Sequence, residues 1–485
     1  MLQQEFAKIG VPGQSVACRF PPMTDDSKPA AHAASRRDFL RTGALTGVGA
    51  ALGRFAFDPL PAIAAASEPT SAPGSAMFAA PPIDVVRVGF VGVGGQGTSH
   101  WEILLNIPGV ELVAVCDTDA SHAARASAMA VAAGRKAPAQ YTRGPRDFER
   151  MCAEADCDLV FNATPWEFHV PICVAAMNNG KHAATEVPAA YTVEGCWALV
   201  ETAERTRRHC VMMENCNYDR TELMWLNMVR QGVLGEILHA EGAYNHDLRS
   251  IKFSSDGEGL WRRAHATKRN GNFYPTHGLG PIANCLDINR GDRLDYVVSM
   301  SGPSRGLQAW QREHLAAADA RRAETYVQGD VNVSLVKTAN GKTIVITHDT
   351  NLPRPYSRVN LVQGTKGIVM GYPDRVYIDG RSTQPHRWDA AEKWRDEFDH
   401  PLWRSEKIQK MDIGHGGMDF LEDYRLIACL RAGTPTDMNV YDAATMSCLC
   451  ALTERSNAHR SAPLDIPDFT RGRWKNMPAW PVVSV

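Results

Sequence analysis

The stretch that decides the fold is residues 88–97, VGFVGVGGQG. Gly92, Gly94 and Gly97 form the pattern G-x-G-x-x-G directly after residues 84–91, a β-branched run typical of a central parallel strand. In such a loop the first glycine allows a tight turn, the second lets a pyrophosphate approach the backbone, and the third permits close helix packing. Taken alone the pattern is weak, because a purely structural turn between a strand and a helix can carry the same glycines.

The residues that follow the loop strengthen this interpretation. Residues 110–116, VELVAVC, predict a second buried strand, and Asp117 comes directly after it. An acidic residue about 20 positions beyond the glycines can accept hydrogen bonds from an adenosine ribose. Asp117 therefore favours NAD over NADP. The predicted dinucleotide site consists of Gly92, Gly94, Gly95, Gln96, Gly97 and Asp117.

Buried strands and helices continue to alternate up to about residue 215, over residues 158–162, 171–178, 182–186 and 193–207. Beyond that point the pattern changes to longer alternating strands, at residues 237–244, 331–337 and 343–348. The predicted fold class is α/β. We expect an N-terminal Rossmann domain with a doubly wound parallel sheet, residues 83–215, and a C-terminal α+β domain with an open, mainly antiparallel sheet, residues 216–485.

Composition narrows the classes of function. The chain has 485 residues, 44% of them hydrophobic, which fits a globular protein of two domains better than a disordered chain or an integral membrane protein. Its 52 basic and 54 acidic residues give a formal net charge of −2. Since there is no basic excess to neutralise a polyanion, nucleic acid is not an expected partner.

Cysteines and scattered polar residues do not predict a metal site. The 12 cysteines show no dense framework of the kind that small secreted domains need, so we expect mostly buried, reduced thiols. Cys448 and Cys450 lie in a predicted helix, where neighbours two apart point in different directions. The other metal-ligand types are too scattered to indicate a cluster; they are His100, His246, Asp247, His348 and Asp349. No metal is expected.

The N-terminal segment resembles a twin-arginine export signal. Residues 35–40, SRRDFL, precede a mildly apolar, Gly/Ala-rich run and then the small residues of PAIAAASEP. An amphipathic N-terminal helix is the alternative, which the paired arginines and the alanine-rich stretch disfavour. The interpretation predicts a signal peptide at residues 1–66, a linker at residues 67–82, contact with the twin-arginine machinery and a periplasmic location.

Several motifs resemble, in chain order, the glucose-fructose oxidoreductase, inositol dehydrogenase and rhizopine-catabolism superfamily. Besides the glycine loop and Asp117, they are NATPWEFH at residues 162–169, TEVP at residues 185–188 and ENCNY at residues 214–218. Most members carry Glu-Lys-Pro where this chain has Glu-Val-Pro, and that lysine is a usual catalytic participant. The substitution argues against an ordinary dehydrogenase.

A narrower resemblance accounts for the missing lysine. WRR at residues 261–263, GNFYPTHGLGP at residues 271–281, HDTN at residues 348–351 and RPYSR at residues 354–358 are similar to glycoside hydrolase family 109. That family contains NAD-dependent α-N-acetylgalactosaminidases, and the resemblance extends from about residue 84 to the C-terminus. It implies that N-acetylgalactosaminides are cleaved by transient oxidation at C3, elimination across C1 and C2, addition of water and re-reduction. This route lies outside the usual two-carboxylate scheme.

The resemblance also assigns site residues. The implied cofactor contacts, beyond the loop, are Trp166, Glu167, Phe168, His169, Glu186, Val187, Asn215 and Tyr274. The implied substrate contacts are Tyr244, Arg262, Tyr274, Pro275, Thr276, His277 and Tyr356. His277 and Tyr274 are the catalytic candidates, because residues three apart share a face where a helix begins, and Pro275 suits a first helical turn. A structural histidine and core tyrosines remain the alternatives.

Three classes of function fit these residues. The first is the NAD-dependent glycosidase, with one tightly bound NAD per chain and a small-molecule or glycan substrate. The second is an NAD(P)-dependent sugar oxidoreductase, which Glu-Val-Pro and the Tyr-Pro-Thr-His block disfavour. The third is a non-catalytic sugar-binding relative, which intact Tyr274 and His277 disfavour. A homo-oligomer formed through the open sheet is also expected.

Overall fold

The computed structural model of the protein describes residues 80–405, 408 and 414–483, so the predicted signal peptide and nearly all of the predicted linker lie outside the described residues. The first sheet has six strands in the order β3-β2-β1-β4-β5-β6, all of them parallel. Its strands are β1 Val86–Val91, β2 Val110–Cys116, β3 Ala139–Tyr141, β4 Leu159–Asn162, β5 His182–Thr185 and β6 Cys210–Met212. The predicted Rossmann-like parallel sheet is therefore confirmed.

Helices connect these strands, at Gly95–Asn106, Ala120–Ala132, Asp147–Glu154, Trp166–Asn178 and Val193–Thr206. The core of the sheet is apolar because β1 carries fully buried side chains, among them Phe90, which stacks on Phe161 of β4 at 4.9 Å between ring centroids. The order of the strands reverses between β1 and β4. Ligands of doubly wound sheets bind at the carboxyl ends of the strands on either side of such a reversal.

The helix after β4 is longer than the sequence pattern predicts. It begins at Trp166 rather than near Pro171, because Pro165 holds an extended backbone that ends the preceding loop and the chain turns helical at the next residue. Pro171 lies inside the helix and is tolerated there. The longer helix carries Trp166 and His169 on its first turns, next to the end of β4.

The second sheet has nine strands in the order β14-β13-β12-β11-β7-β10-β9-β8-β15. Its strands are β7 Ile237–Asn245, β8 Leu294–Ser301, β9 Val331–Thr338, β10 Thr343–Asp349, β11 Leu361–Gly364, β12 Gly367–Met370, β13 Arg375–Ile378, β14 Asp389–Ala390 and β15 Leu464–Asp465. Strands β7 and β10 are parallel, and the other neighbours are antiparallel. The expected mainly antiparallel sheet is thus confirmed.

The remaining described helices are Arg220–Arg230, Arg249–Lys252, Arg262–Ala266, Thr276–Cys285, Gly306–His314, Arg395–Phe398, Pro401–Arg404, Met418–Ala432, Val440–Ser447 and Leu449–Ala458. The Thr276–Cys285 helix lies directly on β7, because two glycines remove the side chains between them. A Cβ on Gly242 would lie 2.1 Å from the carbonyl oxygen of Gly278. This backbone contact brings the C-terminal end of β7 beside the first turn of the helix.

One face of the second sheet is apolar and exposed. Met300 and Leu335 are 64% and 55% exposed. The register pairs Met300 with Val333 and Val298 with Leu335, so Tyr296, Met300, Val333 and Leu335 share this face. In the described part of the chain, no helix is both long and apolar enough to span a membrane.

The cysteines of the described residues are all buried and unpaired, as expected from the sequence. Burial raises the pKa of Cys116 to about 12, so this thiol stays protonated. The Cys448-Leu449-Cys450 segment is not inside one helix, since Cys448 lies at the junction between Val440–Ser447 and Leu449–Ala458.

Buried His400 predicts a dependence of stability on pH. Its Nδ1 accepts the N–H of Leu402 at 3.2 Å, and burial lowers its pKa to about 4. As pH falls below about 6.5, His400 becomes protonated in the unfolded chain but stays neutral in the folded protein. The free energy of unfolding therefore decreases with falling pH until the folded pKa is reached. His400→Asn keeps the capping acceptor without the titration. We expect the wild type to lose about 1.4 kcal/mol per pH unit relative to this variant in that window.

Denaturant unfolding of both proteins at several pH values between 7.5 and 4.5 measures this difference. Parallel pH dependences in the wild type and His400→Asn would show that the histidine is not held neutral.

Candidate active site

A cavity of about 560 Å³ lies where β1, β2, β4 and β5 end. Most residues that the sequence assigns to the site line it, namely Gly92, Gly94, Gly95, Gln96, Asp117, Trp166, Phe168, His169, Glu186, Val187, Asn215, Tyr244, Arg262, Tyr274 and His277. The fold therefore gathers residues from both sheets around one space. Five assigned residues lie outside the lining set, and these are Gly97, Glu167, Pro275, Thr276 and Tyr356.

The glycine loop has the shape that a dinucleotide phosphate requires. Gly92 has φ +85°, and a Cβ there would lie 2.7 Å from the Ala163 carbonyl oxygen. A Cβ on Gly97 would lie 1.9 Å from the carbonyl oxygen of Gly92, so the absence of a side chain here lets the helix pack closely against the loop. At Gly94 and Gly95 a Cβ would meet no described atom within 4 Å. Their backbone is open beside the N-terminus of the Gly95–Asn106 helix, which is suited to an anion.

Asp117 is fixed at the end of β2 by backbone donors. Its Oδ2 accepts the N–H of Val93 at 2.9 Å, and its Oδ1 accepts the N–H of Asp119 at 2.9 Å. The Nδ1 of His122 lies 3.6 Å from Oδ2. Because each carboxylate oxygen can accept more than one hydrogen bond, the side chain is held rigidly and can still bind ribose hydroxyls. The loop and Asp117 together fit NAD.

Arg262, which also lines the cavity, is surrounded by aromatic rings. Its guanidinium carbon lies 4.9 Å from the ring centroid of Tyr274, 5.2 Å from that of Trp166 and 5.3 Å from that of Trp261. Its Nε lies 2.8 Å from a carboxylate oxygen of Glu258, which also lines the cavity. Arg262 is buried, so its charge acts on polar groups in the cavity with little screening.

His277, which lines the cavity, forms a hydrogen bond with the buried Glu214 behind it in the fold. His277 Nδ1 lies 2.7 Å from Glu214 Oε1, and the Glu214 side chain is fully buried. Burial acts to raise the pKa of Glu214, but the charge and hydrogen bond of His277 outweigh it, and the pKa is lowered. Since a carboxylate can only accept, Nδ1 donates the proton in this hydrogen bond, and Nε2 is the ring nitrogen left for other contacts. Glu214 thereby fixes the orientation of the imidazole.

Two tyrosine rings pack against His277. The ring centroid of Tyr244 lies 5.2 Å from that of His277 and 4.5 Å from that of Tyr274, and Tyr274 lies 4.8 Å from His277. The Thr276–Cys285 helix begins one residue after Pro275, so the sequence argument for a helical start holds. Burial raises the pKa of Tyr274, and therefore its hydroxyl stays neutral and can donate.

Some assigned residues contact neighbours instead of the cavity. Tyr356 accepts a hydrogen bond from Arg358 at 3.1 Å, and its ring lies 5.0 Å from that of His246, which does line the cavity. Glu167 forms an ion pair with His265 at 3.0 Å. Both ring nitrogens of His169 lie 2.8 Å from backbone carbonyl oxygens, those of Pro188 and Thr164. This histidine lines the cavity but also connects the two loops that carry these carbonyl groups.

A buried network that the sequence did not reveal holds Glu186. His100 Nε2 lies 2.8 Å from Glu186 Oε1, and His100 Nδ1 lies 2.9 Å from Asp423 Oδ2. Burial opposes a charge on His100, but the two carboxylates raise its pKa well above the ordinary value. A buried imidazolium therefore fixes Glu186 at the cavity wall. His100 and Asp423 are 323 positions apart, which no local pattern could connect.

A second residue that the sequence analysis missed is His415. It lines the cavity from a glycine-rich turn, Gly414-His415-Gly416-Gly417, in which all four residues have positive φ. Its Nδ1 lies 2.8 Å from Asp419 Oδ2, and this hydrogen bond raises the pKa of His415. Burial instead lowers the pKa of His246 on the same cavity. A histidine flanked by glycines was the available signal in the sequence.

Side chains of metal-ligand type also converge in the described residues, as Glu214, Cys216 and His277 in one group and His100, Glu422 and Asp423 in another. In each group the histidine already pairs with a carboxylate, as described above.

Comparison with known proteins agrees with this geometry. Residues 86–214 match the family model "Oxidoreductase family, NAD-binding Rossmann fold", and residues 218–476 match "Glycosyl hydrolase 109, C-terminal domain". An α-N-acetylgalactosaminidase of Shewanella oneidensis is 46% identical over 450 residues, which are 92% of this chain and 98% of that protein. A glycosyl hydrolase family 109 protein of Shewanella putrefaciens is 49% identical over 402 residues, 82% of this chain and 88% of the relative.

Solved structures share the fold at much lower identity. A levoglucosan dehydrogenase in complex with NADH and levoglucosan superposes with a TM-score of 0.60 at 20% identity, over 79% of this chain and 99% of that one. A scyllo-inositol dehydrogenase from Lactobacillus casei with NAD(H) and scyllo-inositol gives a TM-score of 0.56 at 14% identity and the same coverage. From its two matched halves and its curated relatives, the chain belongs to glycoside hydrolase family 109.

Proposed function

We propose that the protein is an NAD-dependent glycosidase that hydrolyses α-N-acetylgalactosaminides by transient oxidation at C3, elimination across C1 and C2, addition of water and re-reduction. The observation that carries the proposal is a single cavity that is lined both by the glycine loop and by His277, which is hydrogen-bonded to Glu214. The α-N-acetylgalactosaminidase of S. oneidensis, which aligns over almost all of both chains, supports the substrate class.

The cofactor residues suit NAD, with Gly94 and Gly95 open to the phosphates and Asp117 placed for the adenosine ribose. Bound NAD⁺ would supply a hydride acceptor for oxidation of the sugar C3 to a ketone, and its reduced form would supply the same hydride for re-reduction to the hydroxyl at the end of the cycle. We propose one tightly held NAD per chain, because a cofactor that is regenerated in every cycle needs no exchange.

His277 and Tyr274 act on the oxidised carbon and its neighbour. His277 Nε2 accepts a proton from the sugar, either from the C3 hydroxyl during oxidation or from C2 during elimination, since Nδ1 is hydrogen-bonded to Glu214. The neutral Tyr274 hydroxyl donates a hydrogen bond to the C3 oxygen, where negative charge develops when the C2 proton leaves. The Arg262 guanidinium, beside the Tyr274 ring, stabilises the same charge.

Cleavage at C1 also needs a proton for the departing oxygen. Asp419 favours the protonated form of His415, and His415 lies on the cavity wall with 55% of its side chain exposed. We assign His415 as the group that protonates the leaving group and later deprotonates the incoming water. In this proposal His277 is the base and His415 is the acid.

Assays with 4-nitrophenyl N-acetylgalactosaminides test the function. We expect release of nitrophenol from the α-anomer by the protein as purified, loss of activity after NAD is stripped, and recovery when NAD⁺ is added. Accumulation of NADH in proportion to product would instead identify a sugar oxidoreductase. NAD binding without turnover of galactosaminides, glucosaminides or other sugars would identify a non-catalytic relative.

We propose that a second copy of the chain covers the exposed apolar face of the second sheet, formed by Tyr296, Met300, Val333 and Leu335. Sedimentation velocity, which distinguishes a dimer from a monomer, tests this assembly.

We also propose export to the periplasm through the twin-arginine route, on the basis of residues 35–40. Because this route carries folded proteins, NAD can be loaded in the cytoplasm and delivered in place. Arg36→Lys combined with Arg37→Lys should leave the protein loaded and active in the cytoplasm. Cell fractionation followed by NAD assay measures this, and unimpaired export of the double variant, or empty inactive protein in the periplasm, would contradict it.

A further inference from the structure

The buried carboxylate of Asp419 contacts residues on the cofactor side of the cavity and also the proposed acid, His415. Asp419 lies in the first turn of the Met418–Ala432 helix, and its side chain is fully buried. Its Oδ1 accepts a hydrogen bond from Asn215 at 2.6 Å. Its Oδ2 accepts from His415 at 2.8 Å and from Gln96 at 3.2 Å. Gln96 and Asn215 line the cavity on the cofactor side, whereas His415 is the proposed acid.

The surroundings of Asp419 keep it ionised despite its burial. An isolated buried carboxylate is strongly disfavoured, but here three donors and the N-terminus of a helix stabilise the negative charge. Burial acts to raise the pKa of Asp419, but the hydrogen bond and charge of His415, the charge of His100 and the hydrogen bond of Asn215 outweigh it and lower the pKa to about 2. The carboxylate is therefore ionised, and a hydrogen-bond acceptor, at neutral pH.

The turn that carries His415 is built around this carboxylate. A Cβ on Gly414 would lie 2.7 Å from Asp419 Oδ2, so a residue with a side chain cannot take this place without moving the aspartate. Gly414, Gly416 and Gly417 all have positive φ, and His415 shares this left-handed region at φ 43°. The close approach leaves the imidazole within hydrogen-bond distance of a fixed acceptor.

We propose that Asp419 is a positioning residue that links the cofactor side of the site to the acid, by holding Gln96 and Asn215 with the same carboxylate that orients and charges His415. The proposal rests on the function proposed above for its catalytic meaning. The charged groups that act on His415 are Asp419, Glu186 and His100. Asp419 is the one of these three with a hydrogen bond to the imidazole.

Asp419→Asn tests the link because the amide has nearly the same shape but only one accepting oxygen. If that oxygen accepts from Asn215, the amide N–H₂ faces the donors of His415 and Gln96. We expect the His415 titration to move to lower pH, and NAD to bind about tenfold more weakly, equivalent to about 1.4 kcal/mol. NMR of the holoprotein labelled with ¹³C in its imidazole rings follows the titration, and His415→Gln identifies the resonance by its loss.

Asp423→Asn is the matched control. Asp423 lies one turn further along the same helix and is equally buried, but it pairs with His100 instead of His415. In this variant the His415 titration should not move to lower pH. A shift of equal size in both variants would mean that general loosening of the helix, and not the hydrogen bond, sets the protonation of His415.

Neither measurement needs glycosidase activity, so an inactive wild type would refute the proposed function while the link is still tested. A folded Asp419→Asn protein with unchanged titration and unchanged NAD affinity would overturn the link. If the Asn variant does not fold, Asp419→Glu keeps the charge and displaces it by one methylene. The glutamate variant should keep the raised pKa of His415 and bind NAD more weakly. A fall of the His415 pKa in this variant, in which the negative charge is kept, would count against the proposal.

Discussion

His277→Ala lowers turnover by about 100-fold or more, the usual scale for a general acid–base group, while NAD stays bound. The expected loss is large because the variant lacks an imidazole that the buried Glu214 holds in one orientation at 2.7 Å. NAD retention should be unaffected, since His277 is assigned to the substrate and not to the cofactor. Steady-state kinetics and the NAD content of the purified variant measure the two quantities.

Isotope exchange and the redox state of the bound cofactor identify the position at which His277 acts. With substrate deuterated at C2, the wild type should release deuterium to solvent during turnover. Because the C2 proton becomes acidic only after C3 is oxidised, exchange is lost in His277→Ala for either role. Enzyme-bound NADH that forms from substrate without exchange assigns the histidine to the C2 proton, whereas absence of NADH assigns it to the C3 hydroxyl. Complete retention of C2 deuterium in the product of the wild type would refute elimination itself.

Gly97→Ala should abolish retention of NAD and lower the thermal stability of the protein. The added Cβ would lie 1.9 Å from the carbonyl oxygen of Gly92 and 3.3 Å from the Cβ of Ala163. Backbone on one side leaves no side chain that can rotate away, so the loop has to move, at a cost of about 1–3 kcal/mol. A displaced loop no longer presents its N–H groups to the phosphates. We expect the affinity for NAD to fall by about 100-fold or more, equivalent to about 2.7 kcal/mol.

Gly95→Ala is the matched control for the packing effect. Its Cβ would meet no described atom within 4 Å, so the cofactor-free protein should unfold at the temperature of the wild type. The methyl group nevertheless projects where a phosphate approaches, and NAD should bind more weakly. Calorimetry with and without NAD separates the two variants. Full NAD occupancy in Gly97→Ala, or a destabilised cofactor-free Gly95→Ala, would contradict the roles given to these glycines.

The parts of the site that the sequence predicted are encoded locally. The glycine loop and the following strand, which ends at Asp117, form a continuous pattern, and their geometry follows from backbone sterics over a few residues. The Tyr-Pro-Thr-His block is similarly local, because Pro275 precedes a helix whose first turn places His277 beside Tyr274. The fold class was predictable for the same reason, since strand and helix periodicities are local properties.

The missing parts depend on contacts that no spacing encodes. His100 and Asp423 meet across 323 positions, and Gln96 meets Asp419 across the same separation, because the Met418–Ala432 helix packs against the Gly95–Asn106 helix. Resemblance alone also could not say which side chains face the cavity. Tyr356 was assigned to the substrate, but its hydroxyl accepts a hydrogen bond from Arg358 and its ring contacts His246.

The buried cysteines affect how the protein tolerates heat. In the native state the eleven thiols of the described residues are out of reach of oxidants, so the fold is compatible with both a reducing and an oxidising compartment. Unfolding exposes all of these sulfurs together. Outside the cytoplasm they would then be joined at random into disulfides that the native packing cannot accommodate. Thermal inactivation in air should therefore be irreversible, and a reductant present during heating and cooling should restore refolding.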